Sequence, residues 1–406
     1  MATQVKATTI EGQPTADSVP GTVTAVTGLH PQVNQIYPIV NEVFREMTGR
    51  DDLQAVDTNS LVAMGHDVLR LGFRDIWLNT LARRIGLTID GYRVYESKYS
   101  VLNRDSIEWG AIVQKLTADM PDAVPDKTWD IGLMDGQSVD QWIISNPKVH
   151  QRFFDKETPY SFFITTSTKL LKDAFLSEGA MASFISQIFG KVRNRIEFTL
   201  EELARLAVAN FICNLTAPRV FKLVTIYNNT HNATLTPLSA RYNPEFLRWM
   251  IGFINNISNK METMSVLYNE DGFDRFTTKE YQRLYMLSDV MTDLQTIVSW
   301  EAFNPQYVTA NPDILVPYWQ GSGTDVAQDW NTISTIKGTN DKKEKVEITN
   351  LIGILFDHDA IGTFREEEDV LTTPVNARAR YYNTFWHERQ LYFNDMSENG
   401  VAFVLE

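Results

Sequence analysis

The stretch that most constrains the fold lies at the end of the sequence. Residues 349–364, TNLIGILFDHDAIGTF, read as a buried strand, an acidic turn and a short exit, because apolar side chains crowd Leu351 to Phe356 just ahead of Asp357-His358-Asp359. An acidic run (Glu366, Glu367, Glu368, Asp369) and the aromatic segment YYNTFWHERQLYF at 381–393 come next, and the sequence closes on VAFVLE, an apolar strand ending at Glu406. Such a strand, with no polar tail behind it, is expected to be locked inside a sheet instead of hanging free. The core is therefore expected to be closed by residues far from those that open it.

With 406 residues, 43% of them hydrophobic, the chain is long enough for two or three packed units. No stretch approaches the ~20 apolar residues that span a bilayer. The opening MATQVKATTIEGQPTADSVPGTVTA lacks a basic region followed by an apolar core, so it is not expected to act as a signal peptide. Synthesis and action in a cytoplasm, with exit only by lysis, is the matching expectation. Cys213, the single cysteine, lies in the apolar run VANFIC and is expected to be a buried small hydrophobe. A net charge of −14 argues against a protein that grips nucleic acid, which needs clustered cations on one face. The 37 basic residues are scattered, and the densest group, Lys342, Lys343 and Lys345, is interleaved with acids.

Residues 1–30, rich in Thr, Ala, Gly and Pro, are expected to form a mobile arm. Ordered structure is expected from 31–48, where Ile36, Ile39, Val40, Val43 and Phe44 recur at helical spacing. Asp57 to Ser60 offer an N-cap for the helical run LVAMGHDVLRLGFRDIWLNTLARRIG. Across 87–120, TIDGYRVYESKYSVLN and SIEWGAIVQKLT flank an Asn-Arg-Asp-Ser turn and predict a long two-stranded hairpin, marginal without a partner surface. Residues 118–150 are irregular, suited to a functional loop or to lying against a neighbour.

Met181, Phe184, Ile185, Ile188, Phe189 and Val192 form an apolar helical stripe, and Thr199 with Glu202 reads as a capping box ahead of LEELARLAVANFIC. RVFKLVTIY reads as a strand. Asn243 and Pro244 are expected to open a helix whose stripe is Phe246, Trp249, Met250, Phe253, Ile254 and Ile257. A third helix is predicted over 278–302 from Leu284, Leu287, Met291, Leu294 and Val298, followed by a loop-rich 303–348.

Chemistry-bearing clusters are weak. Asp357-His358-Asp359 has metal-like composition, but neighbours on a strand point to opposite faces, so a polar turn is the better reading. Asn269, Asp271 and Asp274 lack the spacing and closing Glu of a calcium loop. Gly321-Ser322-Gly323 has no Gly-Lys-Ser/Thr after it to cradle a phosphate. Trp386-His387-Glu388 suits hydrogen-bonded packing, and the six histidines carry no nucleophile motif.

Residues 146–198, NPKVHQRFFDKETPYSFFITTSTKLLKDAFLSEGAMASFISQIFGKVRNRIEF, resemble phage major capsid proteins of the phi29-like podophages, through Leu171-Lys172, Ala174-Phe175, Ser177 and Phe184-Ile185-Ser186. The segment 381–393 and Val401-Ala402-Phe403-Val404 look like that family's closing peripheral strand. The resemblance implies an α+β Hong Kong 97-type (HK97-like) fold: arm and helices at 1–85, an E-loop hairpin and extended segment at 86–145, and a peripheral domain with spine helices at 146–213. An axial domain at 214–345 and returning peripheral strands at 346–406 complete it.

It also implies a virion shell of hexamers and pentamers around double-stranded DNA, assembled in a bacterial cytoplasm, with no enzyme activity and no catalytic, cofactor or metal residues. Implied partners are the chain itself, a separate scaffolding protein, a portal, decoration proteins and non-specifically touched DNA, with no membrane. A chain closed by its last residues suits such a subunit. Gly86, Gly91, Gly110 and Gly179 are expected pivots between ring types, and Lys98 is a crosslink donor by position alone. Three rivals stand beside this reading: an encapsulin-like compartment for protein cargo, a tail or portal component, and a cytoplasmic α+β enzyme with a metal at Asp357, His358 and Asp359.

Overall fold

The computed structural model describes residues 33–49, 54–70, 76–78, 80–81, 95–104, 113–118, 120–121, 142, 144, 146, 148–154, 157–185, 190–301, 312–320, 329–365 and 369–406. In chain order its strands are β1 (Asn103–Arg104), β2 (Val113–Ala118), β3 (Val149–Phe154), β4 (Glu157–Ser167), β5 (Val220–Lys222), β6 (Gln282–Leu287) and β7 (Ile314–Val316). They continue as β8 (Ile336–Thr339), β9 (Lys345–Ile348), β10 (Leu351–Asp357), β11 (Ile361–Arg365), β12 (Asp369–Thr372), β13 (Tyr381–Asn394) and β14 (Gly400–Val404). The chain divides into two compact units, one of Met1–Tyr95, Phe162–Arg195 and Val370–Trp386, the other of Glu96–Ser161, Ile196–Asp369 and His387–Glu406.

In the first unit the helix Val33–Thr48 buries Ile36, Ile39, Val40, Val43 and Phe44, the five positions its spacing predicts. Asp57 caps the helix Thr58–Arg70: Ser60 N–H donates to Asp57 Oδ1 at 2.8 Å, and Asp57 N–H donates back to Ser60 Oγ at 2.9 Å. Met181, Phe184 and Ile185 are buried on the helix Glu178–Ile185, while Ile188 and Phe189 lie outside the described residues. Gly179 sits in that helix's first turn; Gly86, Gly91 and Gly110, like the arm 1–30, lie outside the described residues.

The second unit is built on a mixed sheet ordered β5-β14-β10-β6-β7, with β5 parallel to β14, β6 parallel to β7, and antiparallel pairs between. Every residue of β10 and β14 is buried, so these central strands are covered on both faces. Their core is continuous with the helices Lys191–Asn214, Leu223–His231, Pro244–Met261 and Ser288–Glu301. The closing strand is thus the second strand of the sheet, as the VAFV run predicts.

Asn243 opens Pro244–Met261 as expected, its Oδ1 accepting from Phe246 N–H at 3.0 Å. Cys213 is buried with its Sγ against Gly338, where a Cβ would approach to 2.6 Å, and burial pushes its thiol pKa up.

Three local expectations give way to tertiary burial. Thr199 and Glu202 are interior to the continuous helix Lys191–Asn214, because Ile196, Ala204, Val208, Phe211 and Ile212 carry one buried stripe straight past them. RVFKLVTIY is a strand only at Val220–Lys222; from Leu223 it is helical, burying Leu223, Val224 and Tyr227 and ending at Asn232 with φ 54°. The predicted helix 278–302 begins at Ser288, and the residues before it form β6 between β10 and β7. Consecutive apolar residues such as Leu284 to Leu287 satisfy a buried strand as well as a helix.

Candidate assembly surface

The feature that sequence reasoning placed differently is the hairpin. Lys98–Leu102 forms a 3-10 turn capped by Ser97, with Tyr99 and Leu102 buried, and Asn103–Arg104 pairs in parallel with Thr363–Phe364. The turn signal at Asn103 is consumed by that pairing, so β2 pairs antiparallel with β3, Val113 opposite Phe154 and Ala118 opposite Val149. The segments 87–94 and 105–112 of the expected hairpin lie outside the described residues.

Alternation along this ribbon, and the rule that opposite residues share a face, sort its side chains into two sets. Lys115, Thr117, His150, Arg152 and Phe154 form one face, and all of them meet the body of the unit. Lys115 Nζ lies 2.7 Å from Asp395 Oδ2 and 2.6 Å from Glu398 Oε1. Arg152 Nη1 lies 3.0 Å from Asp395 Oδ1, and its Nη2 pairs with Asp271. Arg275 Nη2 donates to Thr117 Oγ1 at 2.8 Å, the His150 ring sits 4.8 Å from that of Phe273, and Phe154 packs 5.2 Å from Phe393.

The receiving surface is rigidly formed. Asp395 is fully buried; its N–H donates to Ala360 O at 2.7 Å, while its Oδ1 accepts from Ser397 N–H at 3.0 Å and Ser397 Oγ–H at 2.7 Å. Burial by itself raises the Asp395 pKa, but the Lys115 ammonium and the Ser397 hydrogen bonds outweigh it and hold the carboxyl below its ordinary range. The Asp271 loop is closed by Asn269, whose Oδ1 accepts from Phe273 N–H at 2.9 Å and whose Nδ2 donates to Phe273 O at 2.7 Å. Asn269 and Asp271 thus serve a turn and an ion pair, and Asp274 is exposed.

The opposite face of the ribbon carries Gln114, Leu116, Ala118, Val149, Gln151 and Phe153, all exposed; Leu116, Val149 and Phe153 are 62%, 61% and 57% exposed. Beside it a groove of about 500 Å³ is lined by Phe153, Phe154, Leu206, Asn210, Tyr392 and Asn394. Trp142 and Ile144, ahead of β3, are exposed too. A row of large apolar side chains held outward by an ion-paired back is chemically a docking surface.

The acidic turn is arranged differently from a metal site. Asp357 faces inward, its Oδ2 accepting from Thr277 Oγ–H at 2.6 Å and its Oδ1 from Asp359 N–H at 2.8 Å, and burial raises its pKa. His358 and Asp359 instead meet Arg104, whose Nη2 lies 3.1 Å from Asp359 Oδ1 and also binds the His358 carbonyl. Burial first, then the charges of Arg104 and Arg283, lower the His358 pKa. Among the described residues no group of three His, Cys, Asp or Glu converges to hold a metal ion. Trp386 and Glu388 are buried beside an exposed His387, and Gly321 to Gly323 lie outside the described residues. Lys98 is exposed, its backbone N–H donating to Glu201 Oε2 at 3.3 Å. No helix among the described residues is long and apolar enough to cross a membrane.

Asp395, Glu398, Lys115 and Arg152 form an ion-paired cluster that the sequence patterns did not single out. The available signals were the alternation of Lys115 and Thr117, that of His150 and Arg152, and the Asp395-Met396-Ser397 turn pattern.

No curated protein matches the chain. A chain in the structure of the head fiber and inner core protein gp22 of native bacteriophage P68 is similar at 10% identity, over 79% of this chain and 87% of that one, with a TM-score of 0.52, which shows a shared fold. The capsid structure of Staphylococcus phage Andhra matches at 12% identity over 78% and 86%, with a TM-score of 0.48, and the mature capsid of bacteriophage PhiM1 at 10% over 78% and 89%, with 0.42. Residues 39–404 match the sequence model of the Phi29-like phage major capsid proteins. The chain therefore belongs to the Phi29-like phage major capsid protein family: it is a self-assembling shell protein of a tailed-phage capsid and a component of the virion.

Proposed function

We propose that the subunits join as hexamers and pentamers of an icosahedral shell around double-stranded DNA, by packing alone and without bond chemistry. The reading takes the fold as Hong Kong 97-type, with the arm in 1–85, the E-loop in 86–145 and running into β3, the spine in 146–213, and the axial domain in 214–345. The last segment, 346–406, supplies β10 and β14 to the sheet that also holds β5, β6 and β7, so 346–369 and 387–406 share a compact unit with the axial segment 214–345, while 370–386 belong to the other unit. A separate scaffolding protein, a portal, decoration proteins and loose DNA contact, with assembly in the host cytoplasm, belong to the same proposal. The charge of −14 supports DNA that is confined without being gripped.

The observation that carries the reading is the outward row of Leu116, Val149 and Phe153 on a ribbon whose other face is committed to its own subunit. Burying what remains exposed of each side chain contributes about 1–2 kcal/mol at most, repeated at every contact of a shell. Family membership favours neither the protein-cargo compartment nor the enzyme reading.

The test is the double variant Leu116→Ser/Phe153→Ser, examined by sedimentation and electron microscopy. A soluble, folded subunit that no longer forms particles is expected. Particles at the wild-type yield, or loss of the subunit's own fold, would overturn the assignment.

A further inference from the structure

The ribbon's mounting holds an oddity that its backbone pairing does not explain. Lys115 and Arg152, the charged residues of β2 and β3, stand directly opposite each other in the register and share one face. Like charges facing across an antiparallel pair repel and weaken it. A ribbon with this pairing is disfavoured by its own side chains unless an anion lies between them. Asp395 is that anion: one carboxylate, with no solvent exposure, divides its two oxygens between the two cations, Oδ2 to Lys115 and Oδ1 to Arg152. Asp271 and Glu398 stand on either side, each paired with one of the same cations.

We propose that Asp395 is the positioning residue of the ribbon: it clamps Lys115 and Arg152 together and so sets the direction in which the apolar face is presented for assembly. Among the described residues, the ring contacts of the anchoring face with the body lie toward its ends, at Phe154 on Phe393 and His150 on Phe273. The middle of the mounting is held by charge. A two-stranded ribbon is marginal when left unsupported, so removing the clamp frees and frays β2 and β3 while the core sheet stays intact. The link to assembly rests on the shell-contact reading above; the clamp itself does not.

Hydrogen exchange on the full-length, unassembled subunit separates the two. Lys115→Met changes only the ribbon side, and Asp395→Asn keeps an oxygen for Ser397 while removing the charge. In both variants, amides of 113–118 and 149–154 are expected to exchange about tenfold or more faster, with those of β10 and β14 unchanged. Lys115→Arg, which keeps the charge, is expected to retain wild-type protection. Unchanged ribbon exchange in Lys115→Met and Asp395→Asn would overturn the clamp. So would a rise shared equally by β10 and β14, or equal loosening in Lys115→Arg. If the ribbon loosens as expected but particle yield does not fall, the clamp stands and the shell-contact reading fails.

Discussion

Gly400 opens β14 where a methyl group would meet a buried ring. A Cβ built there lies 2.6 Å from both Cε1 and Cζ of Phe211, and Phe211 is fully buried with its ring 6.3 Å from that of Phe356. The ring cannot swing aside without disturbing the strand packed behind it. Gly400→Ala therefore overpacks the core, at a cost of about 1–3 kcal/mol. Stiffening the unfolded chain returns about 0.4–1 kcal/mol, so the midpoints of the two ranges leave a net loss of about 1 kcal/mol. Phe211→Ala alone is expected to cost about 3–5 kcal/mol, through lost burial and the cavity left behind. In the double variant the added methyl enters space the ring has vacated, so the pair costs no more than Phe211→Ala by itself. Urea unfolding of the unassembled subunit, read as midpoint shifts at constant slope, measures all three. Additive losses, or a Gly400→Ala variant as stable as the wild type, would refute the packing argument.

Two further outcomes follow from named contacts. Asn243→Ala removes the acceptor for Phe246 N–H at the start of Pro244–Met261 and is expected to cost about 1 kcal/mol in the same assay, with Asn243→Asp close to neutral. Asp357 is expected to act oppositely to an ordinary paired carboxylate. Its folded pKa is raised, chiefly by burial, so its contribution is fully present below the ordinary carboxylate value of about 3.9 and is lost as pH rises through the raised one. Asp357→Asn removes that titration. The stability of wild type relative to the variant should fall as pH rises across the acidic range, and a difference independent of pH would contradict the assignment.

What was legible in the sequence was local or strongly one-sided. Asn243-Pro244 carries its own cap and stripe, Asp57 to Ser60 its own capping pair, and VAFV, rich in Val and Phe, suits a buried strand. What was hidden depends on partners distant in the chain. The turn-forming Asn103-Arg104 reads as a hairpin tip until Thr363-Phe364 arrive to pair with it, and β2 then waits for β3. Leu284 to Leu287 fit two periods equally, and only the seat between β10 and β7 decides. The ribbon's clamp was least legible of all, because Arg152 and Asp395 meet across 243 residues and each looks like an ordinary surface charge in isolation.

The most direct test of the account is a side-chain-resolution electron cryomicroscopy map of particles formed by this chain, alone or with its phage-encoded neighbours. Closed shells are predicted, with Leu116, Val149 and Phe153 buried against an adjacent subunit while Lys115 and Arg152 remain on Asp395. Shells in which that apolar row faces solvent, or protein that stays monomeric under both conditions, would contradict it.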